Sequence, residues 1–133
     1  MTLNASDRDT VTDLINMHGH LTDAGELDRM DEVFAGDAVF DLSDFGLGVR
    51  AGLVEMVAAI RVLGDAHPVG HHVTNIVLTA ASPDVVHAIS KGIGINADGS
   101  CGSAVYEDVI TRGGTGWRIT RRTIRARRIP LRP

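Results

Sequence analysis

The stretch at residues 20–42, HLTDAGELDRMDEVFAGDAVFDL, decides the fold. Its first residues end a helix, and Gly25 supplies the left-handed turn residue that commonly follows a helix. The apolar residues that come next have the spacing of a short amphipathic helix: Leu27, Met30, Val33 and Phe34. A strand is predicted directly after it, at residues 38–42. The carboxylate of Asp23 is therefore expected at a corner where two helices and a strand meet.

The rest of the chain extends this unit on both sides. Upstream, apolar residues at helical spacing predict one long helix over residues 7–24. Downstream, a third helix is predicted over residues 53–63, where Gly64 would stop it. The apolar period then changes to two, which predicts strands at residues 72–79, 85–96, 101–112 and 117–128. Tight-turn signals such as Asp98-Gly99 join the last three strands into an antiparallel meander.

This order of elements predicts a single domain of the α+β class, with three N-terminal helices packed on a curved antiparallel sheet. The concave face of such a sheet would enclose a pocket. Gly92, Gly94 and Gly102 lie inside the predicted strands, where glycines commonly mark bends or bulges.

The composition excludes several classes of function. A net charge of −4 argues against a general nucleic-acid binder. Cys101 is the only cysteine, so there is no internal disulfide to indicate secretion. No apolar run approaches the roughly 20 residues that a membrane helix needs, and residues 1–10 lack the apolar segment of a signal peptide. The sequence therefore predicts a cytoplasmic protein without a nucleic-acid or membrane partner.

Arginines crowd the last predicted strand, at Arg121, Arg122, Arg125, Arg127 and Arg128. A basic strip of this kind can bind phosphate or an acidic partner. A solvated strand face or an oligomer contact explains it equally well.

Several short motifs occur in an order that is informative as a set: Asp23, Leu27-Asp28 with Phe34, Asp37-Ala38-Val39, Gly52, His71 with Thr74-Asn75, Tyr106-Glu107-Asp108 and Gly116-Trp117-Arg118-Ile119. In this order they resemble the SnoaL-like group of the nuclear transport factor 2-like superfamily, whose members are cone-shaped α+β barrels. That superfamily contains isomerases, dehydratases, cyclases, epoxide hydrolases and non-catalytic binders, so the fold alone does not fix the function.

One branch, containing scytalone dehydratase and hexachlorocyclohexane dehydrochlorinase, is the most similar. It uses a His–Asp dyad, and the resemblance implies that Asp23 and His71 occupy these two positions. It also implies a basic or polar partner at His18 and an anion-binding arginine at Arg125. Phe40 corresponds to an aromatic residue of the pocket.

The residue types suit proton transfer. A histidine can take a proton near neutral pH, and a carboxylate on its other ring nitrogen fixes the tautomer and stabilises the imidazolium. His72 would point to the opposite face of the strand from His71, and the sequence does not decide which of the two faces the pocket. If the strand is regular, His71 shares its face with Val73, Asn75 and Val77.

Asp23 poses a geometric difficulty, because it lies about 140° from His18 on an ideal helix. The two side chains can face one pocket if the first helix loosens after Gly19 or ends by Leu21, so a role for Asp23 in the site predicts one of these departures.

The remaining candidates carry alternative interpretations. Arg125 alternates with Trp117, and an inward position would let it stabilise a developing anion. His18 is either a core histidine or a pocket donor. Asp41 supports a runner-up mechanism with a different catalytic acid, and Tyr106 is either a pocket donor or a core residue.

No acidic residue completes a metal-ligand spacing with His67, His71 and His72, so no metal is predicted, and the chemistry requires no cofactor. These features predict a lyase or isomerase that acts by proton abstraction on a small apolar or polyketide-like substrate: a dehydratase, a dehydrohalogenase or a cyclase. The alternatives are a non-catalytic ligand-binding module and an epoxide hydrolase with two pocket acids. The resemblance further implies a homodimer or homotrimer.

Overall fold

The structure, a computed structural model, describes residues 2–131. Within these residues the elements follow one another in this order: α1 (Ala5–Asp23), a 3-10 helix (Leu27–Glu32), β1 (Phe34–Asp41), a 3-10 helix (Ser43–Phe45), β2 (Val49–Ala51), α2 (Leu53–Leu63), a 3-10 helix (Gly64–Ala66), β3 (Gly70–Ser82), β4 (Val85–Ile95), β5 (Cys101–Gly113) and β6 (Gly116–Arg127). The α+β class predicted from the sequence is confirmed.

The six strands form one open sheet in the order β2-β1-β6-β5-β4-β3. The predicted meander β3–β6 is antiparallel throughout. The sheet as a whole is mixed, because β1 pairs with β6 in parallel. This parallel pair is possible because the long segment from α2 to β5 separates the two strands in the chain.

The segment predicted as a short amphipathic helix is a 3-10 helix, and β1 begins at Phe34 rather than at residue 38. Pairing with β6 explains the difference. The amide of Ile119 donates to the carbonyl of Val33 at 2.9 Å, and Phe34 pairs with Ile119. The sheet thus recruits residues whose spacing alone favours a helix.

Helix α1 continues without interruption to Asp23, so the predicted loosening near Gly19 is wrong. The hydroxyl of Thr22 donates to the carbonyl of His18 at 2.8 Å, and the amide of Ala24 donates to the carbonyl of His20 at 3.0 Å. At the other end, the side chain of Asn4 caps the helix by accepting from the amide of Asp7 at 2.7 Å.

Two bulges set which side chains face the concave side of the sheet. In β3 the register with β4 shifts between Thr74 and Val77, where Asn75 adopts a positive φ of 56°. In β6 the register with β5 shifts around Thr120. Each bulge adds one residue, so the alternation of faces reverses beyond it. The strand glycines expected to mark bulges do not do so, because β4 and β5 pair in continuous register.

The hydrophobic core lies between α1 and the concave face of the sheet. Its members include Val11, Ile15, Leu21, Phe34, Phe40, Val86, Ile110, Trp117 and Ile119. No helix in residues 2–131 has the length and apolar character needed to cross a bilayer.

Candidate active site

A cavity of about 650 Å³ opens between α2 and the far half of the concave sheet face. Apolar side chains form most of its wall, among them Met56 and Leu63 of α2 and Ile124 of β6. Three side chains that can donate or accept protons lie in one part of the lining: His67, His71 and Tyr106. The cavity therefore combines an apolar binding volume with a localised set of proton donors and acceptors.

Asp23 and His71 meet at the wall of this cavity. Nδ1 of His71 lies 2.6 Å from Oδ1 of Asp23, and the backbone amide of His71 donates to Oδ2 at 2.9 Å. A carboxylate can only accept, so Nδ1 carries the proton and Nε2 keeps its lone pair. The second hydrogen bond fixes the carboxylate, and the His71 side chain is only 11% exposed. The pair is thus an oriented imidazole whose free nitrogen can accept a proton.

Gly19 brings the two halves of this pair together. A Cβ atom at position 19 would lie 2.5 Å from the carbonyl oxygen of His71, so only glycine permits α1 to approach β3 this closely. From this crossing point, Asp23 reaches His71 from the last residue of the helix. His18 lies on the buried side of His71, and the centroids of the two imidazole rings are 6.0 Å apart. A regular helix therefore accommodates both residues despite their angular separation.

His18 is buried and does not line the cavity. Its Nδ1 lies 3.1 Å from Nη1 of Arg122, and because a guanidinium has only donors, this nitrogen accepts and the ring proton sits on Nε2. Burial, then the charges of Arg122, His71 and His67, hold the pKa of His18 well below its ordinary value. His18 is a neutral ring behind His71 and cannot serve as a cation.

Arg122 is a buried residue of this region that the sequence interpretation missed. Its Nε and Nη2 donate to the two carboxylate oxygens of Asp108 at 2.7 and 2.8 Å, and neither side chain is more than 1% exposed. The guanidinium also stacks over the ring of Tyr106, 4.5 Å from its centroid. Asp108, Arg122 and His18 thus form a hydrogen-bonded chain that ends next to His71.

Arg125, predicted as the inward arginine, lies on the outer face of the sheet. Its guanidinium is 55% exposed and pairs with Glu107 at 2.9 Å. The bulge at Thr120 is the physical reason, because it reverses the alternation that connected Arg125 with Trp117 and turns Arg122 inward instead. The only sequence signal for Arg122 was an acid, Asp108, that could pair with it across two adjacent strands.

The other predicted pocket residues divide between the two sides of the sheet. His72 points outward and is exposed, so His71 is the histidine that faces the cavity. Phe40 does not line the cavity, because it packs in the core against Phe34 with ring centroids 5.0 Å apart. Asp41 also lies outside the cavity, and its carboxylate accepts from the hydroxyl of Ser43 at 2.6 Å. These contacts do not support the pocket roles of these three residues.

Tyr106 lies on the cavity wall, where Gly92 makes room for it. A Cβ atom at position 92 would lie 2.6 Å from the phenol ring and its oxygen. Burial is the main reason that the pKa of Tyr106 is raised, so the hydroxyl keeps its proton and remains a donor at neutral pH. His67 completes the group, with its ring centroid 4.8 Å from that of His71. Burial lowers the pKa of His67, and the neighbouring charge of a protonated His71 lowers it further.

The described part of the chain contains no three histidine, cysteine or carboxylate side chains grouped to hold a metal ion. The polar groups on the wall are suited to moving protons, since they comprise one oriented base, a second imidazole and a phenol.

Comparison with known proteins assigns the chain to a family. The family described as the SnoaL-like domain matches residues 4–123. No curated protein matches the chain. Among solved structures, a candidate aromatic ring hydroxylase from Novosphingobium aromaticivorans has 27% identity and a TM-score of 0.81, over 96% of this chain and 94% of that one.

Two further solved structures share the fold. Hexachlorocyclohexane dehydrochlorinase LinA-type3 from Novosphingobium barchaimii LL02 has 21% identity and a TM-score of 0.78, over 95% of this chain and 90% of that one. A candidate scytalone dehydratase from Novosphingobium aromaticivorans DSM 12444 has 14% identity and a TM-score of 0.77, over 96% of this chain and 90% of that one.

Proposed function

Because the chain belongs to the SnoaL-like domain family, we propose that it is a cofactor-independent lyase or isomerase acting on a small, largely apolar molecule. The observation that carries this proposal is the 2.6 Å contact between Asp23 and Nδ1 of His71 at the wall of a cavity. The dehydrochlorinase and dehydratase names of similar structures agree with such chemistry.

The proposed reaction starts at Nε2 of His71. This nitrogen takes a proton from a carbon that a carbonyl group or a leaving group has made acidic, and the imidazolium that forms is stabilised by Asp23. The electron pair of the broken C–H bond forms a double bond, and the leaving group departs with the electron pair of its own bond to carbon. A halide leaves as the anion, whereas a hydroxyl group takes up the proton that His71 carries and leaves as water. Without a leaving group, the same step gives an enolate that is reprotonated elsewhere or closes a ring of a polyketide-like skeleton.

Tyr106 takes the role first expected of Arg125, the stabilisation of the developing anion. Its hydroxyl is a protonated donor on the same wall as His71, and the buried guanidinium of Arg122 lies over its ring. A donor aimed at the developing charge stabilises the transition state more strongly in an apolar cavity than in water.

The two alternatives have less support. Epoxide hydrolysis by two acids needs a second carboxylate at the base. Asp41 lies outside the cavity, and Asp108 has both oxygens bound by Arg122. A non-catalytic binder would not require the His71 imidazole to be oriented by a carboxylate. The hydrogen-bonded Asp23–His71 pair therefore favours an enzyme.

The test is proton–deuterium exchange at the carbon next to the carbonyl of 1-tetralone in D₂O, followed by NMR. We expect the native protein to accelerate exchange and His71→Ala to lower the rate by about 10²- to 10⁴-fold, the usual contribution of a positioned base. Asp23→Asn should also lower it, because the amide cannot hold the same tautomer.

His72→Ala is the matched control, since it removes the adjacent histidine on the opposite face of β3 and should leave the exchange rate unchanged. Equal rates for the native protein and the folded His71→Ala variant would exclude His71 as the base.

A further inference from the structure

The rim of the cavity opposite His71 carries positive charge. Arg50 and Arg128 line the cavity, and within residues 2–131 Glu55 is the only carboxylate that lines it. Glu55 is already committed to Arg50, with 3.3 Å between Oε1 and Nη1. Arg127 also borders the cavity, but it alternates with the inward residues of β6 and lies on the outer face with Arg125.

The contacts of Arg128 leave most of its donors available. One of its nitrogens donates to the backbone carbonyl of Asp44 at 3.2 Å, and its guanidinium lies 5.5 Å from the ring centroid of Phe45, another lining residue. The carboxylate of Asp44 faces β6, where it accepts from the amide of Ala126 at 3.2 Å. Arg128 is thus held in place at the rim, and within residues 2–131 no carboxylate lies at ion-pair distance from it.

The strand register fixes where this charge lies relative to the base. His71 pairs with Gly94, Gly94 pairs with Gly102, and the adjacent Ser103 pairs with Arg127. Arg128 follows Arg127 in the chain, so the base and Arg128 are three strand spacings apart, roughly 14 Å along the curved sheet. The two glycines between them have no side chains, so they form an open floor on which an apolar ligand can lie.

We propose that the substrate is an apolar molecule bearing a carboxylate, which Arg128 binds at the rim while its acidic C–H bond lies at His71. This proposal names the substrate class of the proposed reaction and rests on it. Apolar walls strengthen the attraction, because positive groups at the mouth of a low-dielectric cleft concentrate the field on an entering anion. The apolar interior supplies affinity, and Arg128 decides which end of the molecule faces outward.

The experiment is a calorimetric titration at neutral pH with two probes of equal shape, 2-naphthoate and 2-naphthamide. The native protein should bind the carboxylate about tenfold more tightly, the size of one charge-assisted hydrogen bond. The variant Arg128→Gln should bind both probes equally. Arg127→Gln is the control, because it removes the adjacent arginine, which lies on the outer face of the sheet, and should keep the preference.

Equal affinity of the native protein for the two probes would overturn the proposal, as would equal loss of the preference in the two variants. His71→Ala separates this proposal from the proposed reaction. It should lower the exchange rate while the preference for 2-naphthoate persists. If no protein accelerates exchange but the preference is lost only in Arg128→Gln, the reaction assignment fails and the carboxylate site stands.

Discussion

Gly19 decides whether the two halves of the candidate site meet, although it has no side chain. Its Cα faces the carbonyl of His71, and the space a Cβ would need is already taken by that oxygen. Alanine is the better helix former by about 1 kcal/mol, so intrinsic helix propensity does not explain a glycine here. The close approach of α1 to β3 does.

We expect Gly19→Ala to destabilise the protein by about 1–3 kcal/mol, the usual result of forcing extra atoms into a packed contact, despite the gain in helix propensity. The helix must move away from β3, which lengthens the contact between Asp23 and His71 and lowers the exchange rate. Urea unfolding and the exchange assay measure the two effects.

Gly36→Ala is the control for this prediction, because a Cβ at position 36 would meet no atom within 4 Å. It should change stability by less than Gly19→Ala does. A Gly19→Ala variant as stable and as active as the native protein would show that α1 can move at no cost.

An acid at a helix end and a histidine at a strand start are both visible in the sequence, and the resemblance to a branch that uses a His–Asp dyad implied that Asp23 and His71 form the pair. The role of Gly19 was not visible. That role depends on how closely α1 approaches β3 in the folded protein. The two elements are far apart in the sequence, since the hydrogen-bonded Asp23 and His71 are 48 positions apart.

At the scale of elements, the bulges in β3 and β6 determine what faces the cavity. A regular β6 would have turned Arg125 inward with Trp117, but the extra residue near Thr120 turns Arg122 inward instead. Period-two reasoning assigns every residue beyond a bulge to the wrong face. The strand glycines gave no warning, since they make room for Tyr106 and the cavity rather than for a bulge.

Because Arg122 is buried between β5 and β6, the stability of the protein depends on the negative charge of Asp108. Asp108→Asn should destabilise the protein by about 3–5 kcal/mol, because it leaves the guanidinium of Arg122 buried without a counter-charge. Chemical denaturation of the purified variant measures this change in the free energy of unfolding.

Glu107→Gln is the matched control, since it breaks the Arg125 pair on the exposed face of the same two strands. It should cost at most about 1 kcal/mol, as water solvates both groups. Similar losses in the two variants would mean that burial does not set the energetic weight of the Asp108–Arg122 pair.

At the scale of the whole molecule, the sheet has two unlike faces. Its concave face is filled by α1, the core and the cavity, whereas its outer face lies open along β3, β4 and β5. Exposed apolar side chains recur there, with Val77 57% exposed, Ile89 48% and Ile93 39%. Val77 pairs directly with Ile89, so these two side chains form a joint apolar patch on neighbouring strands, and Ile93 lies four residues further along the same face of β4.

The homodimer or homotrimer expected from the sequence therefore has a candidate contact surface in this outer patch. We expect the native protein to sediment at two or three times the 14.2 kDa of one chain, and Ile89→Lys to sediment as a monomer, because a buried ammonium without a partner opposes association. Val54→Lys is the control, since Val54 is 87% exposed on α2, away from the sheet, and its variant should keep the native mass.

A native protein that stays monomeric across the concentration range of sedimentation velocity would contradict the prediction. An oligomer unaffected by Ile89→Lys would mean that another surface forms the contact. Sedimentation of further α2 variants would then test whether that surface is α2.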